Sequence, residues 1–328
     1  MSAAAPPPPA PAPPRKIIID CDPGIDDALA LTFGCGHPDL DLCGVTTVAG
    51  NVSLARTTAN ALAVLEFLGC GEVPVVAGSP GPLLGPEIDA SRVHGVSGLG
   101  RARLPGAAGR PRPGHAADFL IETIGAAPGE ITLIATGPLT NVALAVRREP
   151  RIVSQVADFV IMGGSAGRGN VTPAAEFNIA CDPEAAAIVF RAGWQVTMVG
   201  LDVTLQARAS PAVQERMRGL GRLGSDLLLP VLAGYQAEPD PGVLNPLAAG
   251  HDPPVHDVCA VALVADPGLF GCHRARVDVE TAGRHTAGMT VTSFGAAGPN
   301  ALVALSIDTG RFWDLVLGTF AQVAPARA

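Results

Sequence analysis

Short apolar runs alternate with longer segments of helical periodicity along most of the chain. Lys16–Asp20 is a β-branched run ending in acids, and a helix-like segment runs from Asp26 to Phe33. The same alternation predicts strands over Leu42–Val48, Val73–Ala77, Ile131–Ala135, Phe159–Met162 and Gln195–Gly200. Between them it predicts helices over Ser53–Leu68, Ala116–Gly125, Leu139–Arg147 and Pro183–Ala192. Strands that are apolar throughout, each followed by a helix, imply a parallel sheet covered on both faces. The expected class is α/β, with a mostly parallel, open, Rossmann-like central sheet and helices on both faces.

The pattern loosens in three places. Residues 78–114 are rich in Gly, Pro and Arg and read as a long loop. Residues 210–265 read as largely helical, interrupted by a loose Pro/Gly-rich stretch from Glu238 to Pro254. Arg276–Val279, Met289–Thr292 and Leu302–Leu305 read as late strands making a small β-hairpin excursion, before a closing helix over Phe312–Val323. Neither a repeat nor a clean linker divides the chain, so a single domain is expected over 15–328. Residues 1–14 are Ala and Pro after Met1 and Ser2, a composition that favours a disordered, polyproline-like tail.

Composition narrows the function classes. Hydrophobic residues make up 48% of the 328 and charged residues 16%, which excludes a wholly disordered chain. A net charge of −8 argues against a surface built for nucleic acid. The seven cysteines form no Cys-x-x-Cys pair, a pattern that suggests reduced thiols and a cytoplasmic protein. No apolar stretch approaches the roughly 20 residues of a membrane helix. The tail lacks the basic and apolar regions of a secretory signal.

The candidate chemistry begins at Asp20-Cys21-Asp22-Pro23-Gly24-Ile25-Asp26-Asp27, four carboxylates directly after the first strand. Ligands of parallel α/β sheets bind at the carboxyl ends of strands. Two like charges at 4 Å cost about 4 kcal/mol at an effective dielectric of 20, so crowded acids there call for a cation. Oxygen ligands alone imply a hard one, Ca²⁺ or Mg²⁺. The plainer reading, acids favoured at a helix N-terminus, accounts for Asp26 and Asp27 but poorly for four. Three weaker clusters follow: Thr136–Asn141 after a strand, Asn170–Asn178 with Glu176 between, and Val255-His256-Asp257. Each has an ordinary alternative: a helix start capped near Thr140 or Asn141, turn chemistry, and a surface His-Asp turn.

Together these blocks resemble the inosine–uridine preferring nucleoside hydrolase family. The resemblance runs through Lys16–Ala28, Val48-Ala-Gly-Asn51, Val93-His94-Gly95 with Gly98–Gly100, Ala135–Asn141, Met162-Gly-Gly, Asn170–Asn178 and Val255–Asp257, in the family's order. It covers about 16–265, and segments 101–114 and 236–254 carry no family pattern. What it implies is a Ca²⁺-dependent hydrolysis of the N-glycosidic bond of ribonucleosides, without an organic cofactor, by a homodimer or homotetramer. Asp22, Asp27, Asp257 and the Thr136 carbonyl match the metal ligands, and Asp22 also matches the general base for the attacking water. Asp26 and Asn51 match positions on the ribose 2′- and 3′-hydroxyls, and Asn170, Glu176 and Asn178 match those around the 3′- and 5′-hydroxyls. Met162 lines the sugar pocket. His94 and His256 lie near the base, with His256 the better donor of a proton to it. Asp20 stands behind the metal ligands, and Tyr235 and Gln236 are candidates for the base pocket.

Two rival readings come from the same residues. Asp20-Cys21-Asp22 after a strand mimics the acid pair of haloacid-dehalogenase-type phosphatases. That chemistry expects Thr or Val where Gly24 stands, and a later lysine, whereas Lys16 is the only lysine. A non-catalytic nucleoside- or sugar-binding protein would use the same acids without needing Asp22 as a base.

Overall fold

A computed structural model of the chain describes residues 13–88, 94–235 and 252–326. Residues 1–12 of the expected tail over 1–14, Gln236 and most of the loose stretch from Glu238 lie outside these. The described strands form one nine-stranded sheet in the order β3-β2-β1-β4-β5-β6-β9-β7-β8. They are β1 (Arg15–Cys21), β2 (Leu40–Thr47), β3 (Val75–Ala77), β4 (Ile131–Ala135), β5 (Asp158–Met162), β6 (Val196–Val199), β7 (Phe270–Val279), β8 (Thr290–Phe294) and β9 (Ala301–Ile307). All pairings from β3 across to β9 are parallel, whereas β7 runs antiparallel to both β8 and β9.

Continuous apolar runs produce the two-sided burial they imply. One core lies against the helices Asp27–Gly36, Leu54–Phe67, Asp257–Ala265 and Thr309–Phe320, and includes Ile17 and Ile19 of β1. The other lies against Ala116–Ala126, Thr140–Arg148 and Pro183–Phe190, and takes Ile18 from the opposite face of the same strand. This is the period-2 alternation of a strand buried on both sides.

Three details are added to the expectations. The late hairpin of β7 and β8 joins the main sheet: β9 pairs with β6 and carries β7 and β8 on as its antiparallel end. β7 starts six residues earlier than the pattern indicates, because its exposed first half (Gly271–Arg274) shows no apolar alternation yet still pairs with β9. Within 210–265, the helix Pro211–Arg218 is followed by a π-helical turn over Leu223–Leu228 and a short helix over Leu229–Leu232. Short helices over Phe177–Cys181 and Leu201–Thr204 also appear, too brief for periodicity to reveal.

The order places the site. The chain builds outward from β1 to β2 and β3, then returns to build β4, β5 and β6 on the other side of β1. The crevice at such a reversal, outside the strands' carboxyl ends, is where open α/β sheets bind ligands. Asp20 and Cys21 end β1, and Thr136 follows β4 there.

Candidate active site

The turn after β1 is held by its own acids. Gly24 N donates to Asp27 Oδ2 at 2.9 Å, and Asn51 N donates to Asp22 Oδ2 at 2.7 Å. Gly24 has no room for a side chain, because a Cβ would lie 2.5 Å from His94 Nδ1 and 2.6 Å from Asn51 Nδ2. Asp26 occupies the N-cap position of the helix Asp27–Gly36, but its side chain makes no capping bond. Capping therefore does not account for it.

Oxygens of Asp26, Asp27 and Asp257 converge to within 4.8 Å of one another, all buried. The sequence expectation named Asp22 rather than Asp26 beside Asp27 and Asp257. Asp22 faces the same cluster but turns one oxygen to Asn51, while its Oδ1 is buried with no hydrogen-bond partner. Burial, then the charge of Asp26, pushes the Asp27 carboxyl up to about 7. Burial and neighbouring carboxylates raise Asp22 and Asp257 well above the usual range as well. Buried mutual repulsion, an orphaned carboxylate oxygen and an all-oxygen donor set fit a hard divalent cation.

Asp20 lies behind this group. Its Oδ1 accepts from Thr46 Oγ1 at 2.6 Å and Asn141 Nδ2 at 2.8 Å, and burial raises its carboxyl to about 6. Asn141 is a brace rather than the cap that turn chemistry allows: it also donates to Thr47 O and accepts from Ser79 N, tying β1, β2 and the loop after β3 together. The helix there starts at Thr140, after Leu139, without a side-chain cap.

The expected sugar-binding residues line one cavity: Asp26, Asn51, Met162, Asn170, Glu176 and Asn178. Several of their polar atoms already have partners. Asn51 Nδ2 donates to Asp22 O and Asp27 Oδ2, leaving its Oδ1 for a ligand. Asn178 Nδ2 donates to the carbonyls of Thr136 and Met162 at 2.8 and 3.0 Å. The Thr136 carbonyl expected on the metal thus carries an amide hydrogen bond, with a second lone pair still free. Thr136 Oγ1 donates to Asp27 Oδ1 at 3.0 Å, a role the sequence did not suggest. Glu176 caps the helix Phe177–Cys181, its Oε2 accepting from Gly164 N and Ile179 N, while burial pushes it up to about 7. Asn170 Oδ1 accepts from Phe177 N, closing its loop.

His94, Tyr235 and His256 line the same cavity. His94 Nδ1 accepts from Ile25 N at 3.2 Å, and burial lowers its pKa to about 4, so it is neutral and turned toward the acid turn. Its ring meets Tyr235 edge-on at 6.2 Å, and burial, then the charges of Asp26 and Asp257, push the Tyr235 hydroxyl well above its usual range. His256 is half-buried, and burial lowers its pKa too.

A family model for inosine-uridine preferring nucleoside hydrolases matches residues 17–314. The inosine-uridine preferring nucleoside hydrolase of Leishmania major is 44% identical over 317 residues, covering 94% of this chain and 98% of that protein. The chain belongs to this family. It is a nucleoside hydrolase, which sets aside the phosphatase and the non-catalytic binding protein. A non-specific ribonucleoside hydrolase of Salmonella typhi is 43% identical, covering 94% of this chain and 98% of the relative. Among solved structures, a purine-preferring ribonucleoside hydrolase from Gardnerella vaginalis superposes with a TM-score of 0.85 at 30% identity, covering 94% of this chain and 98% of that one. Relatives of similar identity thus carry different base preferences in their names, so family membership alone does not fix the base.

Proposed function

We propose that this nucleoside hydrolase uses a Ca²⁺ ion held by Asp22, Asp26, Asp27 and Asp257, with the Thr136 carbonyl, to cleave ribonucleosides to free base and ribose. The observation carrying this reading is the buried oxygen cluster at the reversal of strand order, with Asp22 Oδ1 left without a partner. When bound, the ion supplies Lewis acidity toward water and an anchor for the ribose diol.

The chain's own groups divide the remaining work. Asp22 Oδ1 takes a proton from the water that attacks the anomeric carbon. Asp26 and Asn51 Oδ1 hold the 2′- and 3′-hydroxyls, and Asn170, Glu176 and Asn178 hold the 3′ and 5′ side, fixing the anomeric carbon in line with the water. The transition state carries oxocarbenium character, as in other glycoside hydrolyses, and the surrounding carboxylates favour that positive charge. His256 protonates the departing base, whereas His94, neutral and bonded to Ile25, shapes the cavity and does not serve as an acid.

Seven free thiols support a reducing, cytoplasmic setting. Among the described residues no helix is long and apolar enough to cross a membrane. The assembly we propose is a homodimer or homotetramer, open to sedimentation analysis. The direct test of the whole reading is release of free ribose from uridine and inosine by the purified protein, with calcium and after chelation. Ribose release that ignores exhaustive chelation removes the ion from the reading, and no ribose from any nucleoside removes the reaction.

A further inference from the structure

A buried hydroxyl stands directly behind His256. Thr204 ends the short helix Leu201–Thr204 that follows β6, and its side chain is wholly enclosed. Its Oγ1 lies 2.7 Å from Nδ1 of His256, 52 positions away in the chain. The two segments are stitched together by an antiparallel bridge between Arg208 and Pro254, with Ala209 N donating to Pro253 O and Val255 N to Ala207 O, each at 2.9 Å. The contact is therefore anchored from both backbones and does not depend on one flexible side chain. His256 lines the nucleoside cavity, and with Nδ1 engaged, Nε2 is the ring nitrogen left for a ligand.

We propose that Thr204 is a positioning residue for His256, fixing the imidazole so that Nε2 addresses the departing base. The inference rests on the role given to His256 above. A hydroxyl suits the task because it rotates, donating to a bare Nδ1 or accepting from Nδ1–H as the tautomer requires. The ring is thus gripped whichever nitrogen carries the proton, and a flip that would present carbon to the base breaks the bond. In the step served, the anomeric C–N bond breaks and its electron pair goes to the base. The Nε2 proton passes to the base, leaving a neutral ring whose Nδ1–H is donated to Thr204 Oγ1, and the ring regains its proton from solvent.

The test compares two leaving groups. Natural bases need a proton to depart, whereas the nitrophenolate of 4-nitrophenyl β-D-ribofuranoside does not. Thr204→Val keeps the shape and removes the hydroxyl, while Thr204→Ser keeps the hydroxyl. We expect Thr204→Val to lower kcat about 10- to 100-fold on the faster of inosine and uridine, to change it less than about threefold on the nitrophenyl riboside, and Thr204→Ser to restore it. An equal loss on both substrates, or none on the nucleoside, overturns the inference. His256→Ala, measured alongside, separates the two levels. If it fails to slow the nucleoside, the role of His256 itself is wrong; if it slows the nucleoside selectively while Thr204→Val does not, the error lies with Thr204.

Discussion

The acid end and the base end of the cavity are built differently. At the acid end, Asp20, Asp22, Asp26 and Asp27 come from eight consecutive residues, braced by Asn51, Thr136 and Asn141 from the segments that follow the neighbouring parallel strands. At the base end, His94, Tyr235 and His256 come from three distant segments; His94 meets Tyr235 through a ring contact, and single hydrogen bonds tie His94 to Ile25 and His256 to Thr204. The first is the cross-braced geometry that a fixed reaction needs. The second can vary without disturbing the sheet, in keeping with relatives named for different bases.

That contrast can be broken by substitution, with the largest effects expected at the acid end. Asp22→Asn should lower turnover by roughly 10³-fold or more, judged from the usual contribution of a positioned base. Because it removes one of several mutually repelling buried charges, the metal-free fold should not weaken. Turnover within tenfold of the parent would take Asp22 out of its role. Gly24→Ala comes next: its Cβ must displace the His94 ring or the Asn51 amide, and roughly 10- to 100-fold should be lost as the acid turn shifts. Retained activity would show that the turn tolerates rearrangement.

Glu176 gives a smaller, pH-dependent effect. Its pKa, raised by burial to about 7 from 4.5, means the folded protein holds this proton more tightly than the unfolded chain. Its contribution is therefore intact below about pH 4.5 and is lost as pH rises toward 7. Metal-free Glu176→Gln should match the parent's Tm at pH 4.5 and exceed it at pH 7.5. A gap that stays constant with pH would contradict this. Tyr235→Phe, at the base end, should cost the least, about fivefold in kcat/KM, the equivalent of losing one hydroxyl from the cavity lining. A loss as large as that of Asp22→Asn would erase the distinction between the two ends.

The same contrast explains what could be read from the chain alone. The parallel sheet followed from continuous apolar strands, and the acids from one local motif placed at a strand end. The brace of Asn178 on the Thr136 carbonyl and that of Thr204 on His256 join residues 42 and 52 positions apart, and no local pattern records such pairs. Thr204 lies on a four-residue helix that periodicity cannot detect. The exposed half of β7 carries no alternation because its side chains face solvent while its backbone pairs with β9. The resemblance places Asp26 on the sugar and Asp22 on the metal, and spacing alone does not say which oxygens turn inward; in the fold Asp22 Oδ2 accepts from Asn51 N while its Oδ1 is left without a partner.

Calcium titration of the chelated protein by calorimetry probes the acid end most directly, with Asp257→Asn alongside. One ion per chain bound by the parent, with affinity lost in the variant and ribose release from uridine recovering in step with occupancy, is the expected result. A parent that takes up no ion, or that hydrolyses uridine at full rate without one, would contradict the account.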